Sequence, residues 1–97
     1  MYKSTSLEID NRLVGSISSN GIKVTGKSFH FISRIIGSKE QRRNGVLISD
    51  AIEAIIKPVK LDPIVSNVNG RSQRFIGEKV VVTINPDTGN LIQANPR

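Results

Sequence analysis

One histidine occurs in this chain of 97 residues, His30, and it stands four positions before an arginine in Lys27-Ser-Phe-His-Phe-Ile-Ser-Arg34. On a helix, with about 100° between successive residues, Phe29, Phe31, Ile32, Ile35 and Ile36 fill one arc while His30, Ser33, Arg34 and Gly37 fill the other. His30 and Arg34 are then neighbours one turn apart on the solvent side. An imidazole can exchange a proton near neutral pH, and a guanidinium carries a fixed charge on forked donors. Together they suit work on a phosphate, the imidazole as base or acid and the guanidinium as holder of the oxygens on which charge grows. An exposed histidine on a polar helix face is also a common surface residue, so the rest of the chain has to be weighed with the pair.

That balance favours phosphate. With 14 Lys and Arg against 8 Asp and Glu, the formal net charge is +6. A domain so basic collects near polyanions by long-range attraction, nucleic acid first among them, with an anionic membrane surface or an acidic protein as the other classes. The absence of cysteine excludes disulfides, thiolate zinc sites and cysteine nucleophiles. One histidine among scattered carboxylates argues against a transition-metal site, so neither metal nor cofactor is expected. No apolar run reaches membrane-spanning length and no basic-then-apolar leader is visible, so no membrane role is expected of the isolated domain and export would need information outside it.

The elements that must position the pair follow from the punctuation of the chain. Hydrophobic residues make up 37% of it but aromatics only 4%, so one small, monomeric domain with a core of Ile, Val and Leu is expected. Residues 1–21 are polar and rich in Ser, Asn and Gly, which predicts a linker or loosely docked arm, with the ordered domain at 22–97. A short extended piece at 21–25 precedes a first helix at 27–36, stopped by Gly37. After a basic connector, Lys39-Glu-Gln-Arg42-Arg43-Asn44-Gly45, Ser49 offers an N-cap for a second helix at 50–57, with Asp50 and Glu53 in its first turn, Lys57 in its last and Pro58 beyond. Strands at 64–68 and 71–76 flank Asn69-Gly70, a type I′ hairpin signal. A strand at 79–84, the turn Asn85-Pro-Asp-Thr-Gly89 and a last strand at 90–94 complete the pattern. The predicted class is α+β, two N-terminal helices packed on a C-terminal antiparallel β-meander of about four strands.

Strand residues can add to the site. Ser72 and Arg74, two apart, leave one face of their strand, and Thr83 shares a face with Lys79 and Val81. As a set they offer hydroxyls and a guanidinium beside the histidine, although singly each has an ordinary surface role. Lys27, Arg42, Arg43 and Arg71 are expected to hold substrate phosphates; Lys39, Arg42 and Arg43, with no partner that would give them a catalytic geometry, form a phosphate-holding or purely solvated loop.

The order of these features, from His30-x-x-x-Arg34 through Asn44-Gly-Val-Leu-Ile-Ser-Asp-Ala-Ile and Asn69-Gly-Arg-Ser-Gln-Arg-Phe-Ile-Gly77 to Val80-Val-Val-Thr-Ile-Asn-Pro-Asp-Thr-Gly-Asn-Leu-Ile92, resembles the C-terminal toxin domains of bacterial polymorphic toxins. It looks like those in the barnase/EndoU/colicin/RelE-like group of ribonucleases, over residues 22–96. The resemblance implies a domain secreted as part of a larger bacterial effector, acting in the cytoplasm of a competing cell and neutralised in its producer by a cognate immunity protein. It implies cleavage of RNA, tRNA being one candidate, with His30 matching the first-helix histidine and Arg34, Ser72 and Arg74 matching polar positions near the cleft. The last strand departs from the group: Gln93, Ala94 and Asn95 stand where members often carry Thr, Ser or Tyr. Metal-independent attack of the ribose 2′-OH on the adjacent phosphate joins residues to family best, with Ser72 or Thr83 orienting the phosphate. A non-catalytic basic nucleic-acid-binding module and a deoxyribonuclease toxin are the alternatives, and the net charge favours an acidic immunity protein.

Overall fold

The computed structural model describes residues 2–37, 45–68 and 70–97. Helix α1 (Tyr2–Arg12) is followed by strand β1 (Gly26–Lys27), helices α2 (Phe29–Ile36) and α3 (Ile48–Ile56), and strands β2 (Lys60–Leu61), β3 (Val65–Asn67), β4 (Gly70–Ile76), β5 (Val80–Ile84) and β6 (Asn90–Pro96). They form an α+β fold with three helices and a mixed six-stranded sheet of order β1-β6-β5-β4-β2, in which β3 pairs with β4. The expected meander is its centre, β4-β5-β6, all antiparallel. Beyond that expectation, β1 runs parallel to β6, placing Gly26 opposite Asn90 and Lys27 opposite Leu91. Helices α2 and α3 pack on the sheet, and α1 packs on α2.

Residues 1–21 differ from the loosely docked arm that their composition suggests. Ile9 and Leu13, one helical turn apart, share a face of α1 and its end, and both are wholly buried. On the wet side Arg12 Nη1 lies 3.0 Å from Glu8 Oε1. The apolar stripe is little more than these two residues and Val14, too narrow for periodicity to reveal, so tertiary packing rather than propensity holds the helix. A tight turn then carries the chain back: the Ser18 N–H donates to the Ile22 carbonyl at 2.8 Å, and Ser18 Oγ accepts from the Ile22 N–H at 2.9 Å. Asn20 Nδ2 donates to Gln73 Oε1, and Gln73 Nε2 to the Asp62 carbonyl, both at 3.0 Å. Gln73 is buried on β4, and this relay satisfies its amide while tying the turn to the sheet.

The second half of the chain alternates as a one-sided sheet requires. Gln73, Phe75, Val80, Val82, Ile84, Leu91 and Ala94 face the helices and are buried. At 85–89, Asn85 Oδ1 accepts from the N–H groups of Asp87 and Thr88, and the Gly89 N–H returns to the Asn85 carbonyl at 2.8 Å. Three local expectations shift. Helix α3 begins at Ile48 with Leu47 as N-cap and no side-chain capping bond, so Ser49 lies inside the helix; Ile48 is buried, and burying it draws the start outward by a turn's fraction. Ile56, whose helical spacing would put it with the buried Ala51, Ala54 and Ile55, is exposed at the helix end. In the hairpin, Asn67 pairs with Gly70, so Gly70 opens β4 instead of sitting in the turn, and Asn69 lies outside the described residues.

Candidate functional site

Three anchors pose α2. Ser28 caps its start, Oγ accepting from the Phe31 N–H at 3.0 Å and donating to the Ile92 carbonyl at 2.7 Å, while the Ser28 N–H donates to the Leu91 carbonyl at 2.8 Å. Gly37 ends it at φ 84°, its N–H on the Ser33 carbonyl at 2.9 Å. Between them Phe31, Ile32 and Ile35 are buried against the sheet, which fixes the rotation of the helix. His30 is therefore exposed, and Arg34 Nε donates to His30 Nε2 at 3.3 Å. In that contact Nε2 is the acceptor. Among the described residues no carboxylate pairs with Arg34. Phe29 breaks the expected apolar arc: it is 71% exposed, because the first helical residue lies beyond the reach of the core.

The strand residues form a second group. Arg74, Thr83 and Gln93 are cross-strand partners in one row over β4, β5 and β6, on the face away from Phe75 and Val82. Ser72 shares that face two residues before Arg74, opposite Val65 of β3. Asn95 lies in the adjoining row, opposite Val81. Asp62 holds this face's cations together, its Oδ2 3.9 Å from Arg74 Nε and its Oδ1 3.6 Å from Lys60 Nζ. A register shift between Thr83 and Ile84 leaves Ile92 as the extra residue of β6, and its own carbonyl is the one that Ser28 Oγ binds.

The structure thus brings His30 to Arg34 and Arg74 to Thr83, but it does not bring the two pairs together. The first pair lies on the outside of the helix layer, the second on the open face of the sheet, and the apolar core lies between. The substrate-holding candidates divide as well. Lys27 Nζ is bound to Asp10 Oδ1 at 2.5 Å and its side chain is only 14% exposed, so it ties α1 to β1. Arg71 Nε lies 3.4 Å from Asp87 Oδ2, linking the β3–β4 hairpin to the 85–89 turn. Arg42 and Arg43 lie outside the described residues.

Sequence reasoning missed Asp62 and Phe29. Nothing local marks Asp62, whose role depends on Lys60 and Arg74 arriving at the same sheet face. Phe29 carried a signal that could have been read, since Ser28 is a good N-cap and the residue after a cap is often too far out to reach the core. Comparison with protein-family models, with curated proteins and with solved structures finds no match to the chain.

Proposed function

We propose that the domain is a metal-independent endoribonuclease whose chemistry is carried by His30 and Arg34. The observation behind this reading is the 3.3 Å contact between the two side chains on an exposed helix face. A bond that long and that wet exchanges readily. When a phosphate arrives, its oxygens take the guanidinium N–H donors, and His30 Nε2 is released to accept a proton from the ribose 2′-OH. The hydroxyl oxygen attacks phosphorus, the bond to the 5′ oxygen breaks, and Arg34 neutralises the charge that grows on the phosphoryl oxygens. The proton for the leaving 5′ oxygen comes from a group outside this pair. Arg74, Thr83, Ser72 and Gln93, on the sheet face opposite, are assigned to holding more of the RNA and not to the bond-breaking step.

The family resemblance and the +6 charge extend the reading: a ribonuclease toxin, carried into a target cell's cytoplasm by a larger secreted effector, and restrained in its producer by an acidic immunity protein. One observation favours a second reading. The separation of the sheet face from His30 also suits a basic module that binds RNA across the sheet without cutting it.

A single experiment separates them. The ribonuclease cleaves in excess chelator, leaves a 2′,3′-cyclic phosphate or its hydrolysis product, and binds but does not cut a strand with one deoxyribose before the scissile phosphate. His30→Ala abolishes cleavage and keeps the fold. Undiminished cleavage of the deoxy strand, activity only with added divalent metal, or a fully active His30→Ala protein rejects the mechanism. Binding with no cleavage at all supports the module.

A further inference from the structure

Several side-chain amides of this chain are engaged by the fold. Asn20 Nδ2 and Gln73 Nε2 donate within the relay that ties the 18–22 turn to β4, and Asn85 Oδ1 accepts from the N–H groups of Asp87 and Thr88. Gln93 and Asn95 are different. Both are half-buried on the open face of β6, opposite Thr83 and Val81, and among the described residues neither side chain has a hydrogen bond or ion pair. Asparagine is a poor strand former, so Asn95 carries a cost that no contact within the described fold offsets. A partly buried amide without a protein partner is satisfied by water, which a ligand offering the same donors and acceptors displaces.

We propose that Gln93 and Asn95 together read one unpaired adenine of the RNA, with Arg74 and Thr83 on the phosphate beside it. The assignment rests on the proposed function for one point only, that the ligand is RNA; which residues cut it does not enter. Each amide presents an acceptor oxygen beside a donor NH2. Adenine carries its amino group between two ring acceptors, N1 and N7, so it takes one amide on each side. Cytosine has an acceptor on one side of its amine only, and guanine and uracil carry a carbonyl in its place. Two residues apart on one strand face, Gln93 and Asn95 stand about 7 Å from each other, so their amides flank a base lying along β6. Val81, opposite Asn95, supplies apolar surface beneath that base. In the row of Gln93, Thr83 comes next and then Arg74, two strands or about 10 Å away. The Arg74 side chain is 58% exposed, and Lys60 shares its carboxylate partner Asp62, so the face is cationic at the end where the phosphate lies. An adenine held through N1 is not in a Watson–Crick pair, so the substrate class is single-stranded or looped RNA with an exposed adenine.

The test is binding of a short 2′-O-methyl oligouridylate with one central adenine, compared with the all-uridine strand; neither has a 2′-OH to attack. The natural protein is expected to bind the adenine strand more tightly. Gln93→Met and Asn95→Leu, close in size but without the amide, are each expected to reduce that preference roughly 5- to 150-fold, the discrimination carried by one bidentate amide–base pair. Arg74→Ala is expected to weaken both strands alike, as loss of a phosphate contact does. A third strand, with 7-deazaadenine at the central position, lacks the N7 acceptor and needs no variant to fold. The natural protein is expected to lose on that strand the factor that one amide supplies. Equal affinity of the natural protein for the adenine and all-uridine strands overturns the proposal. So does a 7-deazaadenine strand bound as tightly as the adenine strand, or amide variants that keep the full preference. Because binding alone is measured, a protein that selects adenine but never cuts RNA removes the ribonuclease reading and leaves this one standing. A protein that cuts RNA yet binds both strands equally does the reverse.

Discussion

Replacing Gly89 with alanine is expected to unseat α2 from the sheet without touching a residue of the site. Gly89 has φ 80°, where an L side chain costs roughly 1–2 kcal/mol. A Cβ there would fall inside the contact radius of the Lys23 carbonyl oxygen, 3.1 Å from that carbonyl carbon and 3.3 Å from Thr25 Cγ2. The obstructing carbonyl is backbone, so the 23–25 segment has to move. Movement breaks the bond from the Thr25 N–H to the Gly89 carbonyl, 3.0 Å long, and strains that from Thr25 Oγ1 to the Thr88 carbonyl. Overpacking of this kind costs about 1–3 kcal/mol and the lost hydrogen bond about 1 kcal/mol. The sum, about 3–6 kcal/mol, is a large share of the ~5–15 kcal/mol that stabilises a small domain. Thermal unfolding followed by circular dichroism should show a fall in Tm on the order of 10–40 °C. Gly15→Ala is the control: its φ of 97° carries the same conformational cost, but nothing lies within 4 Å of the added carbon. Equal losses in the two variants would refute the close approach as the cause.

Leu13→Ala, at the end of α1, is expected to cost about 2–5 kcal/mol, read as a lower urea midpoint at unchanged m; a loss under about 1 kcal/mol would make α1 peripheral. Arg34→Ala is expected to slow RNA cleavage roughly 10- to 1,000-fold, by analogy with the loss of one transition-state donor. Arg74→Ala, whose guanidinium shares Asp62 with Lys60, should cost less, and equal losses would move the chemistry to the sheet face. Association with the proposed acidic immunity protein should slow as salt rises, if the domain's +6 charge steers the encounter. A rate indifferent to ionic strength would refute an acidic partner.

What could be read from the residues was whatever local rules decide. Gly37 was legible as the end of α2 because capping is local chemistry, whereas Ser28, expected inside a helix at 27–36, is in fact its N-cap; the His30–Arg34 contact follows from helical spacing alone. The 85–89 turn was legible for the same reason, in Asn85, Pro86 and Gly89. Contacts distant in sequence were not legible. Ile9 and Leu13 look isolated until α2 supplies the surface that covers them, and no pattern in Gly26-Lys27 announces a parallel partner at Asn90. The site was over-assembled on paper for a related reason. Period-2 alternation correctly put Ser72 and Arg74 on one face, but which face meets the helices depends on where Phe75, Val82 and Ala94 pack. They pack under the helices, so the strand hydroxyls and guanidinium turn away from the histidine.

The bridge from Ser28 to Ile92 spans 64 positions of chain. It gives the molecule an order of assembly. Helix α2 stands early among the described elements, yet the carbonyls that receive its cap belong to β6, which is synthesised after all the others described. Closing so long a loop is slow, and the closure gains nothing until both ends are present. While the chain is still growing, α2 is an eight-residue segment too short to persist alone, and His30 has no fixed neighbour. The arrival of Asn90, Leu91 and Ile92 is therefore what turns a fluctuating peptide into a posed pair. A chain cut before Leu91 would carry every residue of that pair but would lack the carbonyls that receive the Ser28 cap.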